Sequence, residues 1–280
     1  MTSPTPTLAQ RPASAAQPSD VRVGRVTFGR VLTSEWVKFR SLRSTWWTLL
    51  IAVAAMVGIS ALISWARNAR WSQMPPREAA AFEPIMTSLS GVNLAQLAIA
   101  VLGVLLISGE YATGMIRSTL TAVPKRLPVL WAKTLLFAVV TFVSMLVSAL
   151  AAFFVGQHLL ASHGTTLSAP GAVRAVVAVA GYLTLVGVLA VALGFIIRST
   201  AGGIATLVGL LLVAPGLGQL LPSDWQPHIL PYLPSNAGAA MYTVRADPTL
   251  LSPARGLLTL VIWAVVAVVV AAVLLRRRDA

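Results

Sequence analysis

Residues 175–221 read AVVAVAGYLTLVGVLAVALGFIIRSTAGGIATLVGLLLVAPGLGQLL, and Arg198 is the one charged residue among them. A single helix over this stretch would be about 70 Å long, more than twice the roughly 30 Å hydrocarbon core of a bilayer. The stretch therefore has to be two spans. Arg198-Ser199-Thr200 and the nearby Gly202-Gly203 supply a polar, flexible break, which predicts a tight hairpin between them.

Working outward, further apolar segments of spanning length lie at about 46–65, 89–107, 134–157 and 256–275, with the divided stretch giving 172–197 and 201–221. The composition agrees. Of the 280 residues, 57% are hydrophobic and 10% charged, and the mean hydropathy is +0.81. A soluble domain carries about 25% charged residues to keep its surface wet, so most of this surface must face something other than water.

The charges assign the sides. The chain has 21 Lys and Arg against 8 Asp and Glu. With six spans, fifteen of the cations fall on one face: before the first span, between spans two and three, in the 198 hairpin, and at Arg276, Arg277 and Arg278. Six fall on the other. Lys and Arg accumulate in cytoplasmic loops, so both ends are expected in the cytoplasm. Merging spans four and five would put the three terminal arginines outside. The net charge of +13 thus fits an anionic membrane surface rather than nucleic acid. The chain has no cysteine, which excludes disulfides and thiolate metal sites.

Residues 1–20 contain fourteen Ser, Thr, Pro or Ala and no apolar run. They do not form a signal peptide, and 1–26 is expected to be a disordered cytoplasmic tail. Residues 28–42 follow a helical period: Phe28, Val31, Leu32, Trp36, Phe39 and Leu42 share one sector. This predicts an amphipathic helix lying in the cytoplasmic interface and feeding the first span. Glu35 falls in the middle of the apolar sector, where a carboxylate needs a partner. Two partners fit: Lys38 at i+3, or the basic loop after the second span.

Seven prolines between 214 and 255 (Pro215, Pro222, Pro227, Pro231, Pro234, Pro248 and Pro253) rule out a straight helix there. The interleaved Trp225, Ile229, Leu230, Tyr232 and Leu233 predict short or re-entrant outer helices packed against protein. The fold class is therefore an all-α integral membrane protein. It has six spans, an N-terminal interfacial helix, and one transmembrane domain over 27–280. Along the third span, Ser144, Ser148, Ala152 and Gly156 form a small-residue row that permits close helix approach.

Several function classes are poorly served by these residues. Within the spans as drawn, Arg174 is the one Asp, Glu, Lys or Arg, and it sits at an outer edge. Ion-coupled carriers use ionisable groups at membrane depth, which leaves an ATP-independent carrier or channel as the weaker alternative. No HExxH, GxSxG or helical carboxylate pair points to a membrane enzyme. Gly109-Glu-Tyr-Ala-Thr-Gly114 has the glycine spacing of a phosphate loop, but Met115 and Ile116 stand where Lys and Ser or Thr are needed. No cofactor or metal is expected on this chain. A structural or assembly role is a further alternative. Asn93 and Gln96 are the candidate polar residues of a substrate path in the second span.

The largest inner loop, residues 109–133, reads GEYATGMIRSTLTAVPKRLPVLWAK, and 115–123 can form a short helix stopped by Pro124. With this loop the chain resembles the permease subunits of type-2 ABC exporters, from about Thr33 onward. The likeness rests on Glu35-Trp36-Val37-Lys38, Ser44-Thr45-Trp46-Trp47, the loop run Gly109-Glu110-Tyr111, Thr113-Gly114, Ile116-Arg117-Ser118-Thr119-Leu120, Pro124-Lys125-Arg126 and Ala132-Lys133. It rests too on 233–238 and on Arg277-Arg278-Asp279-Ala280.

The resemblance implies that 28–42 is the elbow helix, with Glu35, Trp36 and Lys38 its notable residues. It implies that Glu110, Tyr111, Thr113, Gly114, Arg117, Pro124, Lys125 and Arg126 belong to the loop that engages an ATPase subunit. The proline-rich segment would be the family's re-entrant region. Partners would be two ATPase subunits carrying ATP and Mg, and a second permease chain, identical or not. The cell would hold the complex in its plasma membrane. An uncharged span interior suits lipophilic or amphipathic cargo.

Overall fold

The structure, a computed structural model, describes residues 27–123 and 125–277; the expected 1–26 tail, Pro124 and the last three residues lie outside them. Helix α1 (Phe28–Ser41) turns at Leu42 into α2 (Arg43–Ala69). Two one-turn helices, α3 (Pro76–Ala80) and α4 (Pro84–Ser88), lead to α5 (Val92–Ala112). Then come α6 (Met115–Ala122), α7 (Leu127–Leu160), α8 (Ala172–Ile197) and α9 (Thr200–Val208). A π-helical turn, Gly209–Val213, joins α9 to α10 (Ala214–Gly218). Short α11 (Gln226–Ile229) and α12 (Pro234–Tyr242) precede α13 (Pro253–Arg277). Among the described residues no strand forms.

Six of these stretches are long and apolar enough to cross a membrane: Arg43–Ala69, Pro84–Ala112, Leu127–His163, Ala172–Ile197, Thr200–Gly218 and Pro253–Arg277. The third starts seven residues before the apolar run expected at 134, and the second runs past 107 to Ala112. Glu110 and Lys133 therefore sit on span helices rather than in a loop.

The hairpin in the 175–221 stretch closes on two residues. Arg198 takes left-handed backbone (φ 58°) as the cap of α8, and Ser199 caps α9 by accepting from the Gly202 amide. Gly202 and Gly203 are not part of the turn; both lie in α9. A Cβ at Gly203 would stand 2.7 Å from Val104 Cγ1, so this glycine lets α9 close on α5.

The core is built on α5 and α8, the most buried of the spans, with α7 and α2 packed around them and α13 along α8. Small residues set the closest crossings. The Gly156 end of the third-span row meets Ser64 and Ser88, while Gly103 meets Ala190 and Gly187 meets Phe137. Gly91 abuts the backbone of Met56 and donates its amide to Ser60 Oγ at 2.9 Å.

Four prolines of the 214–255 segment each stand in the first turn of a helix: Pro227 in α11, Pro231 in the 3-10 turn Leu230–Tyr232, Pro234 in α12 and Pro253 in α13, while Pro215 follows the π-helical turn inside the continuous helical stretch Thr200–Gly218. The missing amide is no loss in a first turn, so proline initiates these short elements. Of them, α12 packs deepest, held by Gly238 against the Tyr182 ring and by Arg174, whose guanidinium donates to the Met241 and Thr243 carbonyls at 2.6 and 2.8 Å.

The described chain begins and ends at the same end of the bundle. Glu35 on α1 contacts Lys133 in α7, and Arg126, just before α7, donates to the Leu275 carbonyl near the end of α13 at 3.3 Å.

Candidate functional site

Helix α1 shows why Glu35 tolerates its apolar surroundings. Val31, Glu35 and Phe39 face inward and are buried against α7, while Phe28, Trp36 and Leu42 are exposed. The apolar sector is thus shared between the bundle and the outside, instead of lying wholly outward, and Glu35 is on the inward side. Both partners expected for it are present. Its Oε1 accepts from Lys38 Nζ at 2.9 Å, and its Oε2 accepts from Lys133 Nζ at 2.5 Å.

Lys133 ties in a second carboxylate. Its Nζ donates to Glu110 Oε1 at 2.7 Å, and Lys38 Nζ stands 3.5 Å from the same oxygen. Two carboxylates and two ammonium groups therefore form one electrically balanced cluster. Its centre is dry: the Lys133 side chain is 1% exposed and that of Glu35 3%. Lys38 is the member that reaches the surface, at 26%. Ions buried this way are held only where the partners match in charge and geometry.

The fifth member is Thr119 on α6, whose hydroxyl accepts from Lys38 Nζ at 3.0 Å and donates to the Met115 carbonyl. The cluster thereby touches four elements at once: α1, the last turn of α5, α6, and the first turns of α7. Glu110 Oε2 is buried with no hydrogen-bond partner among the described residues, so the cluster has an acceptor to spare.

Helix α6 is placed by its ends. Gly114 supplies left-handed backbone (φ 71°) that lets the chain leave α5 and re-enter a helix. Ile116 and Leu120 face inward, and Arg117 and Ser118 face outward. Thr113 is exposed and bonds back to the Gly109 carbonyl at 2.9 Å. Lys125 is exposed, and Arg126 is half-buried with a positive φ of 53°. Tyr111 lies beneath Arg198, whose guanidinium carbon is 5.1 Å from the ring centre. This contact ties the α8–α9 hairpin to the α5 end.

The other expected residues are less concentrated. Gln96 is buried, and its Oε1 accepts from the Tyr182 hydroxyl while its amide donates to the Asn93 carbonyl. Asn93 is exposed. Gly109 lies inside α5, so the 109–114 glycine pair makes no phosphate-binding loop. Among the described residues no group of His, Cys, Asp and Glu is placed to hold a metal ion.

Lys133 is the central residue that sequence reasoning did not single out. As the last cation of the 109–133 loop it counts in the sequence only among the charges that assign the sides. The available signal was its position: one lysine between Leu-Trp-Ala and Thr-Leu-Leu, flanked by apolar residues on both sides.

The cluster is an ion-paired joint that links α6 to α1, and α1 to α5 and α7. Compared with known families, residues 31–215 match the family model described as ABC-2 family transporter protein. A search of curated proteins returns no match.

Proposed function

The chain belongs to the ABC-2 transporter family, and from that premise we propose that it is the permease subunit of an exporter driven by ATP hydrolysed on a separate subunit. As a family member it is a membrane transport component and not itself a catalyst. ATP and Mg would be held by two ATPase partners, and a second permease chain, identical or not, would complete the complex in the plasma membrane. The cation-rich end of the bundle, where α1, α6 and the end of α13 meet, would be cytoplasmic.

The observation that carries this reading is the buried cluster. Helix α6 offers an outward face with Arg117 and Ser118, while its inner side reaches the Lys38–Thr119 bond. A partner pressing on the outward face would move Thr119, and through Lys38 the Glu35–Lys133–Glu110 group that joins α1 to the second and third spans. Arg117 and Glu110 take different parts. Arg117 is exposed and is the docking residue, whereas Glu110 is buried and is the anchor.

Lipophilic or amphipathic cargo is favoured because the described mid-span positions carry no Asp, Glu, Lys or Arg. Asn93, being exposed, is the place to test this: Asn93→Asp should reduce transport more than Val139→Asp on another exposed face, and equal effects would count against the cargo class. The subunit assignment is tested by isolation in mild detergent from the native membrane. An ATP-hydrolysing subunit should accompany the chain and be lost with Arg117→Glu. If none accompanies it even after cross-linking, an ATP-independent carrier becomes the better account.

A further inference from the structure

At the end of α2 away from α1, the chain doubles back over a cavity of about 480 Å³. The last turns of α2 and its cap bring Ile63, Ala66, Arg67 and Arg70 to its wall, the 3-10 turn Trp71–Gln73 brings Gln73, and α3 brings Glu78. Positions 63, 66, 67 and 70 recur at helical spacing and share one face. Two prolines stiffen the return: Met74 and Pro75 are extended, with ψ of 130° and 143°, and Pro76 opens α3.

The charges around this cavity are unmatched. Arg67, Arg70 and Glu78 make no ion pair and no side-chain hydrogen bond among the described residues, and neither does the Gln73 amide. One cation in the last turn of a helix is favoured by the helix dipole. Two arginines three residues apart repel each other, and an anion held between them removes that cost. Glu78 on the same cavity adds a place for a cation.

Depth says what carries both charges. Trp46 and Trp47 are exposed near the start of α2 and Trp65 near its end, and tryptophans collect at the two membrane–water boundaries. From Trp47 to Trp65 the helix rises about 27 Å, close to the roughly 30 Å hydrocarbon core. Arg67 and Arg70 stand about 3–8 Å beyond Trp65, within the headgroup layer that adds about 5–8 Å to each side of that core. Ile63 and Ala66 lie at or below the boundary. The cavity thus grades from apolar to charged along the membrane normal, as a phospholipid does.

We propose that this cavity binds the headgroup of an ammonium-bearing phospholipid, its phosphate between Arg67 and Arg70, its ammonium at Glu78, and its acyl chains descending past Ala66 and Ile63. The Gln73 amide is a further donor to the phosphate. The site requires only that α2 spans a bilayer; it does not rest on the exporter reading, and transport is not its readout.

The test titrates the full chain in mild detergent with lipids of identical acyl chains and counts bound lipid by native mass spectrometry. Phosphatidylethanolamine should bind about three- to tenfold tighter than phosphatidylcholine, whose methylated nitrogen donates no hydrogen bond to Glu78. Diacylglycerol, which lacks the phosphate, should bind weakest. Changing Arg67→Gln and Arg70→Gln together should weaken phosphatidylethanolamine about tenfold or more. Arg77→Gln removes the same charge from α3 but does not line the cavity, and should change nothing. Glu78→Gln should erase the preference over phosphatidylcholine while leaving phosphatidylcholine bound. These side chains are exposed and unpaired, so the variants should unfold at the temperature of the unaltered protein. Soluble glycerophosphoethanolamine should displace the lipid only in large excess, because it brings no acyl chain; displacement at parity would make the ligand a free phosphate ester and overturn the lipid assignment. Equal binding of all three lipids, tighter binding of phosphatidylglycerol than of phosphatidylethanolamine, or an Arg77→Gln loss equal to that of the double variant would overturn the site.

Discussion

Replacing Lys133 by methionine should damage the fold more than any other single change in the charged cluster. Lys133 Nζ holds Glu35 at 2.5 Å and Glu110 at 2.7 Å, and its side chain is 1% exposed. Methionine would fill most of the space but leave two carboxylates buried together. Lys38 alone would then serve both, already committed to Glu35 at 2.9 Å and 3.5 Å from Glu110. Removing one partner of a buried ion pair costs about 3–5 kcal/mol, and here two anions lose their shared cation.

Glu110→Gln is gentler, because Lys133 keeps Glu35 and the amide oxygen still accepts; about 1–3 kcal/mol is expected. Lys38→Ala removes a cation that reaches the surface, and about 1 kcal/mol follows. Thermal unfolding in mild detergent, followed by loss of the monodisperse peak, should therefore rank Lys133→Met least stable, then Glu110→Gln, then Lys38→Ala. The exchange Lys133→Glu with Glu110→Lys preserves the charge balance and should recover much of the loss. Lys133→Met as stable as Lys38→Ala, or no recovery in the exchange, would refute the electrostatic account of the joint.

Further outcomes follow from other contacts. Gly91→Ala puts a Cβ 2.1 Å from the Met56 carbonyl oxygen, a backbone atom that cannot swing away; it should lower stability by about 1–3 kcal/mol, whereas Gly58→Ala, with nothing within 4 Å, should not. Because the chain has no cysteine, single cysteines report sidedness cleanly. A cysteine at Lys125 should react with an impermeant maleimide only after the membrane is opened, and one at Arg70 in intact cells; the reverse pattern would invert the topology. Thr119→Val should leave an associated ATPase in place but reduce the stimulation of its activity by cargo, measured in reconstituted vesicles. Unchanged stimulation would take the Lys38–Thr119 bond out of the coupling route.

Much of this architecture follows from the chain itself. Length and hydropathy force two spans from 175–221, and Arg198-Ser199 is where the break has to fall, although the two glycines beside it serve packing and not the turn. The joint was half legible. Glu35 announces itself as a carboxylate inside an apolar sector, and its two candidate partners were both identifiable by spacing and charge. That they act together could not be read, because one lysine completes the set from 98 residues away. Lys133 was hidden by the habit of ending a span at its last charge: α7 runs past that charge at its start, since the lysine is neutralised within the bundle.

The central claim is that α6 presents the docking face for an ATP-hydrolysing subunit. The most direct measurement places a photo-crosslinking residue at exposed Ser118 and irradiates native membranes before solubilisation. The account predicts one dominant adduct, containing a nucleotide-binding ATPase, weakened by Arg117→Glu and absent when the crosslinker sits at Trp65 near the opposite end of α2. Adducts with lipid alone, or equal capture of an ATPase from both positions, would contradict it.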